Sequence, residues 1–442
     1  MNITVIGCGK SGFAAAKLAV DRGYKVHLTE SRDIDKYQNE YEELKSIGVA
    51  CEFGINSYKY LDNCDMVICS PGIARDNKFI RESEKRNIPV ISEIEFAFRH
   101  TNGKVVSVTG TNGKTTTTAL INYILRSAGN KSVACGNIGY AFSEAVLNND
   151  DDTIYVVEAS SYQLDRISTF KPDVALILNI SPDHLEYHKS MENYICAKWK
   201  TSSLQNENNL LILNADDKTI LENSFKTSAK IGYFSSNPVG WGIYTKGNEI
   251  FFKTADKEEL LMVTEQLGLP GIHNIYNSMA AALAARFLEV TNEDIRDSLI
   301  SFRGVEHRLE YVRTLAEVDF VNDSKATNIN ATWFALSSYK KPLIWIAGGR
   351  AKGNDYSELD LFVKNNVKAI ICIGEESENI FNHFCSNVRC IKASTLHEAV
   401  INSIECAERG DLVLFSPACK SFDMFMNFEQ RGDEFKSIVM DL

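Results

Sequence analysis

Short apolar, β-branched runs alternate with amphipathic stretches along the whole 442-residue chain. NITVIG predicts a strand, SGFAAAKLAVDRG predicts a helix that ends at Gly23, and KVHLTE predicts the next strand. The series of predicted strands continues with MVICSPG, PVISE, KVVSVTG, TIYVVEAS, DVALILNI, NLLILN, DFVNDS, KPLIWIAGG, KAIICIG and DLVLFSPA. This alternation is typical of doubly wound α/β proteins. It predicts three consecutive α/β segments, over residues 1–95, 96–303 and 304–442.

Composition and charge exclude some classes of protein and leave the predicted fold unchanged. Hydrophobic residues make up 44% and charged residues 24%, which suits several buried cores. The net charge of −11 argues against nucleic-acid partners, and no apolar run approaches the roughly 18 residues of a membrane span. The eleven cysteines include no C-x-x-C pair, so we expect reduced thiols in a cytoplasmic protein.

The first glycine loop, residues 7–12, has the pattern G-x-G-x-x-G between a predicted strand and a predicted helix. Its glycines permit a tight turn, and the helix N-terminus offers N–H groups to a phosphate. Glu30 ends the next strand, where dinucleotide-binding proteins place their ribose-binding acid. The residues alone leave open NAD, another phosphate-bearing ligand, or glycines needed only for packing.

The second glycine loop, residues 110–116, reads GTNGKTT and is more specific. Gly110 and Gly113 let the backbone wrap phosphate oxygens, Lys114 supplies a cation, and the Thr115 hydroxyl can bind Mg²⁺. The common phosphate-binding pattern has a glycine where this chain has Val108. The loop predicts triphosphate binding, and the alternative is a glycine-rich turn with a surface lysine.

Polar side chains follow two of the later predicted strands. Glu158 ends one strand, and Asp183 and His184 follow another. Ligands collect beyond the carboxyl ends of parallel strands, so these groups could share a divalent ion with the nucleotide. Alternatively, His184 is a loop histidine without a special role and Asp183 only caps its turn.

Two further stretches are ambiguous by themselves. Lys198 in YICAKWK would normally be a solvated helix lysine. His273, Asn274 and Asn277 precede or begin an alanine-rich helix, where amides could bind adenine or phosphate. Asn274 could equally serve as the N-cap of that helix.

Seven stretches, in this order, resemble the Mur ligase family of ATP-dependent, amide-forming enzymes of peptidoglycan synthesis: GTNGKTT, DHLEYH, YICAK, GIHNIYN, EHRLE, NDSKATN and SPACKSFDMFMNFEQRG. The resemblance spans all three segments, and the last two stretches are most similar to the D-glutamate-adding members. It implies a three-domain α/β architecture. The N-terminal domain would be Rossmann-like and bind a UDP-substrate, the central one a P-loop ATPase-like domain, and the C-terminal one Rossmann-like and specific for the incoming amino acid.

The resemblance also implies a reaction. ATP phosphorylates the alanine carboxylate of UDP-N-acetylmuramoyl-L-alanine, the amine of D-glutamate attacks the acyl phosphate, and phosphate leaves a tetrahedral intermediate. It implies two Mg²⁺ ions, a monomer, and a Lys198 carbamylated by CO₂. A carbamate is an oxygen ligand suited to a hard cation, and its formation requires a site that lowers the pKa of Lys198.

The family's functional residues map onto this chain as follows. The catalytic group is Lys114, Glu158, His184, Lys198 and Lys325. The ATP contacts are Gly110, Thr111, Asn112, Gly113, Lys114, Thr115, Thr116, Asn277, Arg308 and Asp323. The contacts to the UDP-substrate are Lys10, Ser11, Ser31, Arg32, Ser70, Asn137, Ser160, Gln163 and His184. The D-glutamate contacts are Thr327, Lys352, Ser421, Phe422 and Phe428, and the metal ligands are Thr115, Glu158, His184 and Lys198.

Phe422 departs from the family, which often has an aliphatic residue there, so we expect a differently shaped pocket. Without the resemblance, Phe422 and Phe428 would be core aromatics. Four other functions compete: a sibling ligase, a folylpolyglutamate-type synthetase, an NAD-dependent oxidoreductase, and a non-catalytic UDP-sugar-binding protein. The motifs of the third segment disfavour the first two. The intact ATP-site residues disfavour the last two.

Overall fold

A computed structural model describes residues 1–223, 227–339, 341–350 and 353–442. The chain divides into two compact units, Met1–Phe302 and Arg303–Leu442. The predicted α/β alternation is confirmed in both units. The boundary near residue 95, inside the first unit, stays a prediction. Within the described ranges, no helix is long and apolar enough to cross a membrane.

The first sheet is parallel and has the order β3-β2-β1-β4-β5. Its strands are β1 (Asn2–Ile6), β2 (Lys25–Glu30), β3 (Ala50–Phe53), β4 (Met66–Cys69) and β5 (Val90–Ser92). Its helices are α1 (Lys10–Asp21), α2 (Gln38–Ser46), α3 (Lys78–Lys85) and α4 (Glu93–Phe98). The strand order reverses between β1 and β4, so the first glycine loop, directly after β1, lies where doubly wound sheets bind ligands.

The second sheet has the order β14-β13-β12-β11-β10-β9-β6-β8-β7. Only the first two pairings in this order, β14–β13 and β13–β12, are antiparallel. Its strands are β6 (Val105–Thr109), β7 (Ser132–Gly136), β8 (Ile154–Glu158), β9 (Val174–Ile177), β10 (Leu210–Asn214), β11 (Lys230–Ser235), β12 (Gly242–Lys246), β13 (Glu249–Lys253) and β14 (Glu258–Val263). Because β6 lies between β8 and β9, the loop after β6 is flanked by the ends of both neighbours.

Eight helices accompany the second sheet among the described residues. They are α5 (Lys114–Ser127), α6 (Phe142–Asn148), α7 (Ser161–Asp165), α8 (Leu185–His188), α9 (Met191–Trp199), α10 (Lys218–Glu222), α11 (Ile272–Phe287) and α12 (Asn292–Ser301). The N-cap of α11 is Gly271, at a φ of 103°. The alternative that Asn274 caps this helix is therefore wrong. Asn274 lies within the first turn, where its amide donates to the Pro270 carbonyl at 2.8 Å.

The third sheet has the order β15-β16-β20-β17-β18-β19, and only β15 is antiparallel to its neighbour. Its strands are β15 (Glu310–Leu315), β16 (Val318–Asn322), β17 (Leu343–Gly348), β18 (Val367–Ile373), β19 (Arg389–Lys392) and β20 (Leu412–Phe415). Its helices are α13 (Ile329–Ser337), α14 (Asp360–Asn366), α15 (Ser377–Phe384), α16 (Leu396–Cys406) and α17 (Phe428–Met440). The segments after β16 and β20, which are adjacent parallel strands, contain NDSKATN and SPACKSF.

Candidate active site

The second glycine loop joins β6 to α5, as predicted. Gly113 caps α5 with a φ of 81°, and a Cβ atom there would lie 2.5 Å from Oδ1 of Asn277. Only glycine combines this backbone conformation with so close an approach. The backbone N–H groups of Thr111 and Asn112 donate to the main-chain and side-chain oxygens of Asn179, at 2.9 and 2.8 Å. Asn179, which the sequence did not single out, therefore holds the loop from beyond the end of β9.

Lys114 folds back over the loop that precedes it. Its Nζ atom donates to the carbonyl oxygens of Gly110, at 2.9 Å, and Thr111, at 2.7 Å. The cation therefore lies against the loop. The interpretation of residues 110–116 as a turn with a solvated surface lysine does not describe this arrangement, because Lys114 is only partly exposed.

Thr115 and Glu158 meet at the adjoining ends of α5 and β8. The Thr115 hydroxyl donates to Oε2 of Glu158 at 2.8 Å, and the Asn137 amide donates to Oε1 at 2.9 Å. Glu158 is 2% exposed. Gly136 allows this close approach of β7 and β8, because a Cβ atom there would lie 2.4 Å from the Glu158 carbonyl. Three residues predicted to contact different ligands thus form one hydrogen-bonded group.

Lys198 is buried, with 1% of its surface exposed, so its interpretation as a solvated helix lysine is wrong. Its Nζ atom donates to the Gly110 carbonyl at 2.7 Å and lies 4.6 Å from the centre of the Tyr194 ring. Burial lowers the pKa of Lys198 well below its usual range, and the nearby Lys114 cation lowers it further. The carboxylate of Asp183 is close enough to oppose part of this shift.

Tyr194 is a site residue that the sequence analysis missed. Residues four apart on a helix share a face, so the YICAK stretch places Tyr194 beside Lys198 on α9. The tyrosine hydroxyl lies 3.0 Å from Oγ1 of Thr111 in the glycine loop. The ring therefore covers the lysine amine while the hydroxyl contacts the loop. The spacing within YICAK was the available signal.

His184 begins α8 in the left-handed conformation, with a φ of 53°. Its backbone N–H donates to Oδ1 of Asp183 at 2.9 Å, so Asp183 does cap this turn. The His184 ring is 4.9 Å from that of Tyr162 and partly exposed, and its Nε2 atom is 3.4 Å from Oδ2 of Asp183. His184 is therefore fixed by its backbone while its ring remains accessible to a ligand.

The first glycine loop is closed by Glu30. The carboxylate accepts hydrogen bonds from the backbone N–H groups of Cys8, at 2.9 Å, and Arg32, at 3.0 Å, and from the Ser31 hydroxyl at 3.3 Å. Glu30 is 5% exposed. Since both oxygens bind this chain itself, Glu30 is not placed as a free acceptor for a ribose diol. The glutamate at the end of β2, which suggested NAD binding, therefore serves to close the first glycine loop.

The remaining residues predicted to bind the UDP-substrate have different exposures. Lys10, Ser31 and Arg32 are exposed, and Ser70 is buried with its hydroxyl 3.2 Å from the Gly7 carbonyl. Ser160 and Gln163 form the capping box of α7, with the serine hydroxyl 2.9 Å from the glutamine Oε1. Gln163 is 1% exposed. Its Nε2 atom lacks a hydrogen-bond partner among the described residues.

In the third segment, the Asp323 carboxylate connects three stretches of chain. Its oxygens accept hydrogen bonds from the Ser416 hydroxyl at 2.8 Å and the Leu309 backbone N–H at 3.2 Å. Burial raises the pKa of Asp323 to about 7, although the Ser416 bond and the Arg308 charge lower it. Arg308 is half-buried. Asp323 therefore binds its own unit rather than presenting a free carboxylate.

Of the residues predicted to bind D-glutamate, Ser421 and Phe422 lie in the segment after β20, Phe428 begins α17, and Thr327 lies between β16 and α13. Ser421 is 2% exposed, whereas Phe422 is 54% exposed, so its interpretation as a core aromatic is wrong. Phe428 is half-buried, and Nζ of Lys325 lies 5.6 Å from its ring centre. Thr327 is half-buried. Lys352 lies outside the described residues.

Comparison with known proteins gives a consistent result over the whole chain. Residues 1–92 match the MurD-like N-terminal domain of Mur ligases, residues 108–285 the Mur ligase middle domain, and residues 307–419 the Mur ligase glutamate ligase domain. The UDP-N-acetylmuramoylalanine–D-glutamate ligase of Salinibacter ruber is 40% identical over 451 residues, covering 99% of this chain and 97% of the relative. The enzyme of that name from Christiangramia forsetii is 40% identical, with 100% and 99% covered.

The same fold occurs in a solved structure, the UDP-N-acetylmuramate–alanine ligase of Thermotoga maritima, with a TM-score of 0.60 and 17% identity over 100% of this chain and 99% of that one. The predicted α/β architecture of three Mur ligase domains is therefore confirmed. With matches of this length and identity along its sequence, the chain belongs to the Mur ligase family.

Proposed function

We propose that this protein is an ATP-dependent ligase that joins D-glutamate to the alanine carboxylate of UDP-N-acetylmuramoyl-L-alanine, releasing ADP and phosphate. The observation that carries the proposal is the position of Lys198, buried against the glycine loop beside Lys114. The names of the relatives, at about 40% identity over nearly the full chain, support D-glutamate as the amino acid.

The proposed reaction needs charge neutralisation more than covalent catalysis. The substrate carboxylate attacks the γ-phosphorus of ATP, forming the acyl phosphate and ADP. The D-glutamate amine then attacks the acyl carbon, loses a proton, and phosphate leaves from the tetrahedral intermediate. We propose that Lys114, hydrogen-bonded to the Gly110 and Thr111 carbonyls, exchanges them for phosphate oxygens when ATP binds. Such electrostatic stabilisation of transferring oxygens is usually the largest contribution to this chemistry.

The residues around Thr115 fit a magnesium ion. Mg²⁺ prefers hard oxygen ligands and is commonly held by one or two protein groups together with substrate phosphates and water. The Thr115 hydroxyl and the Glu158 carboxylate, 2.8 Å apart, are such groups. When bound, the ion would neutralise charge on the phosphate oxygens. We propose a second ion near His184 and Lys198.

As an ammonium, Lys198 cannot be a metal ligand. Burial lowers its pKa and so favours the neutral amine, whose nitrogen can attack the carbon of CO₂, lose a proton and become a carbamate anion. The carbamate would supply oxygens at the same place. The buried position and the lowered pKa of Lys198 support carbamylation.

The other predicted contacts complete the proposal. Asn277, Arg308 and Asp323 would serve ATP, Asp323 through the Arg308 turn that its carboxylate holds and not as a free acceptor, with Lys325 at the reacting centre. The first glycine loop and the predicted residues around it would bind the UDP-substrate, and Thr327, Lys352, Ser421, Phe422 and Phe428 would bind D-glutamate. We further propose domains over residues 1–95, 96–303 and 304–442, a monomeric state, and a cytoplasmic location.

Phosphate release from ATP tests this proposal. The enzyme receives UDP-N-acetylmuramoyl-L-alanine together with D-glutamate, L-glutamate, L-lysine or diaminopimelate, each separately. We expect release with D-glutamate alone, and its loss in Lys198→Ala. Lys200→Ala is the matched control, because Lys200 lies on the same helical segment but binds the Asp165 carbonyl instead. Release with another amino acid would overturn the D-glutamate assignment, and release with none would overturn the ligase itself.

A further inference from the structure

The turn over residues 305–309, which contains Arg308, is held in an unfavourable backbone conformation. His307 and Leu309 have φ values of 61° and 44°, in the left-handed region that residues other than glycine rarely adopt. Such conformations persist only where the surrounding structure determines them, and they are found preferentially at functional sites. The side chain between the two strained residues is that of Arg308.

Successive backbone N–H groups of this turn all have acceptors. The His307 N–H donates to Oε2 of Glu310 at 2.8 Å, the Arg308 N–H donates to the Val305 carbonyl at 3.1 Å, and the Leu309 N–H donates to the Asp323 carboxylate at 3.2 Å. Two of these acceptors are side chains. The conformation of the turn therefore depends on Glu310 and Asp323.

The turn is also joined to the NDSKATN segment. The His307 carbonyl accepts a hydrogen bond from the Lys325 backbone N–H at 3.0 Å. Oε2 of Glu310 accepts a second bond, from the Asn322 amide at 2.9 Å, and that amide lies 3.0 Å from Nδ1 of the buried His307. One carboxylate oxygen thus connects the Arg308 turn to the end of β16.

The two oxygens of Glu310 have separate roles. Oε2 makes both hydrogen bonds to the turn and to β16, whereas Oε1 lies 3.3 Å from the Nζ atom of Lys436 on α17. Lys436 also pairs with Glu306 and Asp433, which are largely exposed. The Lys436 and Glu310 side chains are themselves 22% and 19% exposed, so their ion pair is partly buried. The hydrogen bonds through which Glu310 holds the turn are all made by Oε2 and need an acceptor at that position, which a neutral amide oxygen can also supply.

We propose that Glu310, the last residue of EHRLE, is a positioning residue for ATP, which holds the strained turn so that the Arg308 guanidinium is pre-oriented for the nucleotide. The inference rests on the proposed role of Arg308 as an ATP contact. Glu310 acts through the turn and does not itself touch a substrate. Pre-orientation lowers the cost of binding, so its loss weakens ATP binding without removing a contact.

Four variants distinguish the effect of the position of the Glu310 acceptor from the effect of its charge. Glu310→Gln keeps an oxygen acceptor at the same distance and loses the charge, whereas Glu310→Asp keeps the charge and withdraws the acceptor. Glu306→Gln and Lys436→Ala are the controls, because they remove charges of the same cluster, one exposed and one partly buried, and leave the Oε2 acceptor of Glu310 in place. We expect Glu310→Asp to raise the KM for ATP roughly 10- to 100-fold, a typical effect of small misplacements. We expect the other three variants to stay within roughly threefold of the parent enzyme.

The test compares KM for ATP, KM for the other two substrates, ADP affinity by calorimetry, and the Tm of each variant. The inference is supported if Glu310→Asp raises the KM for ATP and weakens ADP binding while the KM values for the other two substrates stay unchanged. Both effects should disappear when Glu310→Asp is made in an Arg308→Ala background. Equal damage by Glu310→Gln and Glu310→Asp, or equal changes for all three substrates, overturns it. If Arg308→Ala alone leaves ATP binding unchanged, the Arg308 contact fails and the inference fails with it, while D-glutamate-dependent phosphate release continues to support the ligase.

Discussion

The Nζ atom of Lys198 lies 2.7 Å from the carbonyl oxygen of Gly110, although the two residues are 88 positions apart. This hydrogen bond brings α9 against the glycine loop and places an amine beside the loop that we propose binds the phosphates of ATP. Lys114 donates to the same carbonyl, so two amines converge on one oxygen. Burial and the neighbouring Lys114 charge together lower the pKa of the Lys198 amine.

The first prediction concerns stability and its dependence on pH. In buffer free of CO₂, we expect Lys198→Met to raise the free energy of unfolding at pH 7 by roughly 1–3 kcal/mol, because it removes a buried ionisable group. The pKa of Lys198 is lowered in the folded state, so the unfolded chain binds one more proton at pH values between the two pKa values. Parent stability therefore rises with pH in that window, and the advantage of Lys198→Met shrinks towards pH 10.

Lys200→Met provides the control for this measurement. Lys200 is partly exposed and pairs with Asp165, so its substitution is expected to lower stability slightly at all pH values. Denaturant unfolding from pH 6 to 10 gives the comparison. A Lys198→Met variant that is less stable than the parent at pH 7 would contradict the assignment of Lys198 as a costly buried amine retained for function.

The second prediction separates two threonines one turn apart on α5. Thr115→Val removes the hydroxyl that donates to Glu158, and we expect kcat/KM for ATP to fall roughly 10- to 100-fold with a weaker dependence on Mg²⁺. The hydroxyl of Thr118 is buried and has no hydrogen-bond partner among the described residues. Thr118→Val should therefore preserve activity and stabilise the fold by roughly 1 kcal/mol.

Magnesium titrations of phosphate release distinguish the two variants. Both substitutions replace a buried threonine by valine. A difference in activity between the two variants therefore reports the position of the lost hydroxyl and not the type of substitution. Equal activity in Thr115→Val and Thr118→Val would remove Thr115 from the proposed magnesium site.

Local sequence was sufficient to predict the second glycine loop and those strands that form continuous apolar runs. Parallel strands buried on both faces produce continuous apolar runs such as those of β6, β8 and β9, which are easy to recognise. The loop follows from glycine and lysine positions within seven residues. The strands that were not predicted are β3, β7, β11, β12, β13, β14, β15 and β19. In β13, for example, buried and half-buried residues alternate over only five positions.

The chemistry of individual side chains depended on long-range contacts that no local pattern contains. Lys198 is buried with its amine against Tyr194, four residues earlier on α9, and Gly110 in the glycine loop. Composition alone contains neither contact, and it therefore predicted a solvated lysine. At Glu30, the local pattern indicated a ligand-binding acid where the structure has an internal contact. The position of Glu30 fits a ribose-binding acid, but the Cys8 and Arg32 N–H groups bind its oxygens. A motif defines which groups are available, and tertiary contacts decide what they bind.

The third prediction concerns Asp323, whose pKa is raised by burial to about 7. A raised pKa means that the folded state keeps its proton at pH values where the unfolded chain, with a pKa of about 3.9, has lost it. The associated stability is fully present below about pH 4 and is lost as pH rises through 7. We expect the parent to lose up to about 4 kcal/mol relative to Asp323→Asn across this range.

Unfolding measured from pH 4 to 8 tests this expectation. The asparagine retains an oxygen for the Leu309 N–H and has an amide that can donate to the Ser416 hydroxyl, so the hydrogen bonds survive without a titrating group. Stability curves of parent and Asp323→Asn that run parallel would show that Asp323 is ionised in the folded protein throughout this range.

The last prediction uses two glycines at opposite ends of α5 with almost the same backbone conformation. Gly113 has a φ of 81° and Gly129 a φ of 82°, so alanine at either position carries a similar backbone cost of about 1 kcal/mol. Their surroundings differ, because a Cβ atom at Gly113 would lie 2.5 Å from the Asn277 amide oxygen and none lies near Gly129. We therefore expect Gly113→Ala to lose more stability than Gly129→Ala and to be the one of the two that raises the KM for ATP, roughly tenfold or more. Equal KM values in the two variants would show that the fit of Gly113 against Asn277 serves folding and not nucleotide binding.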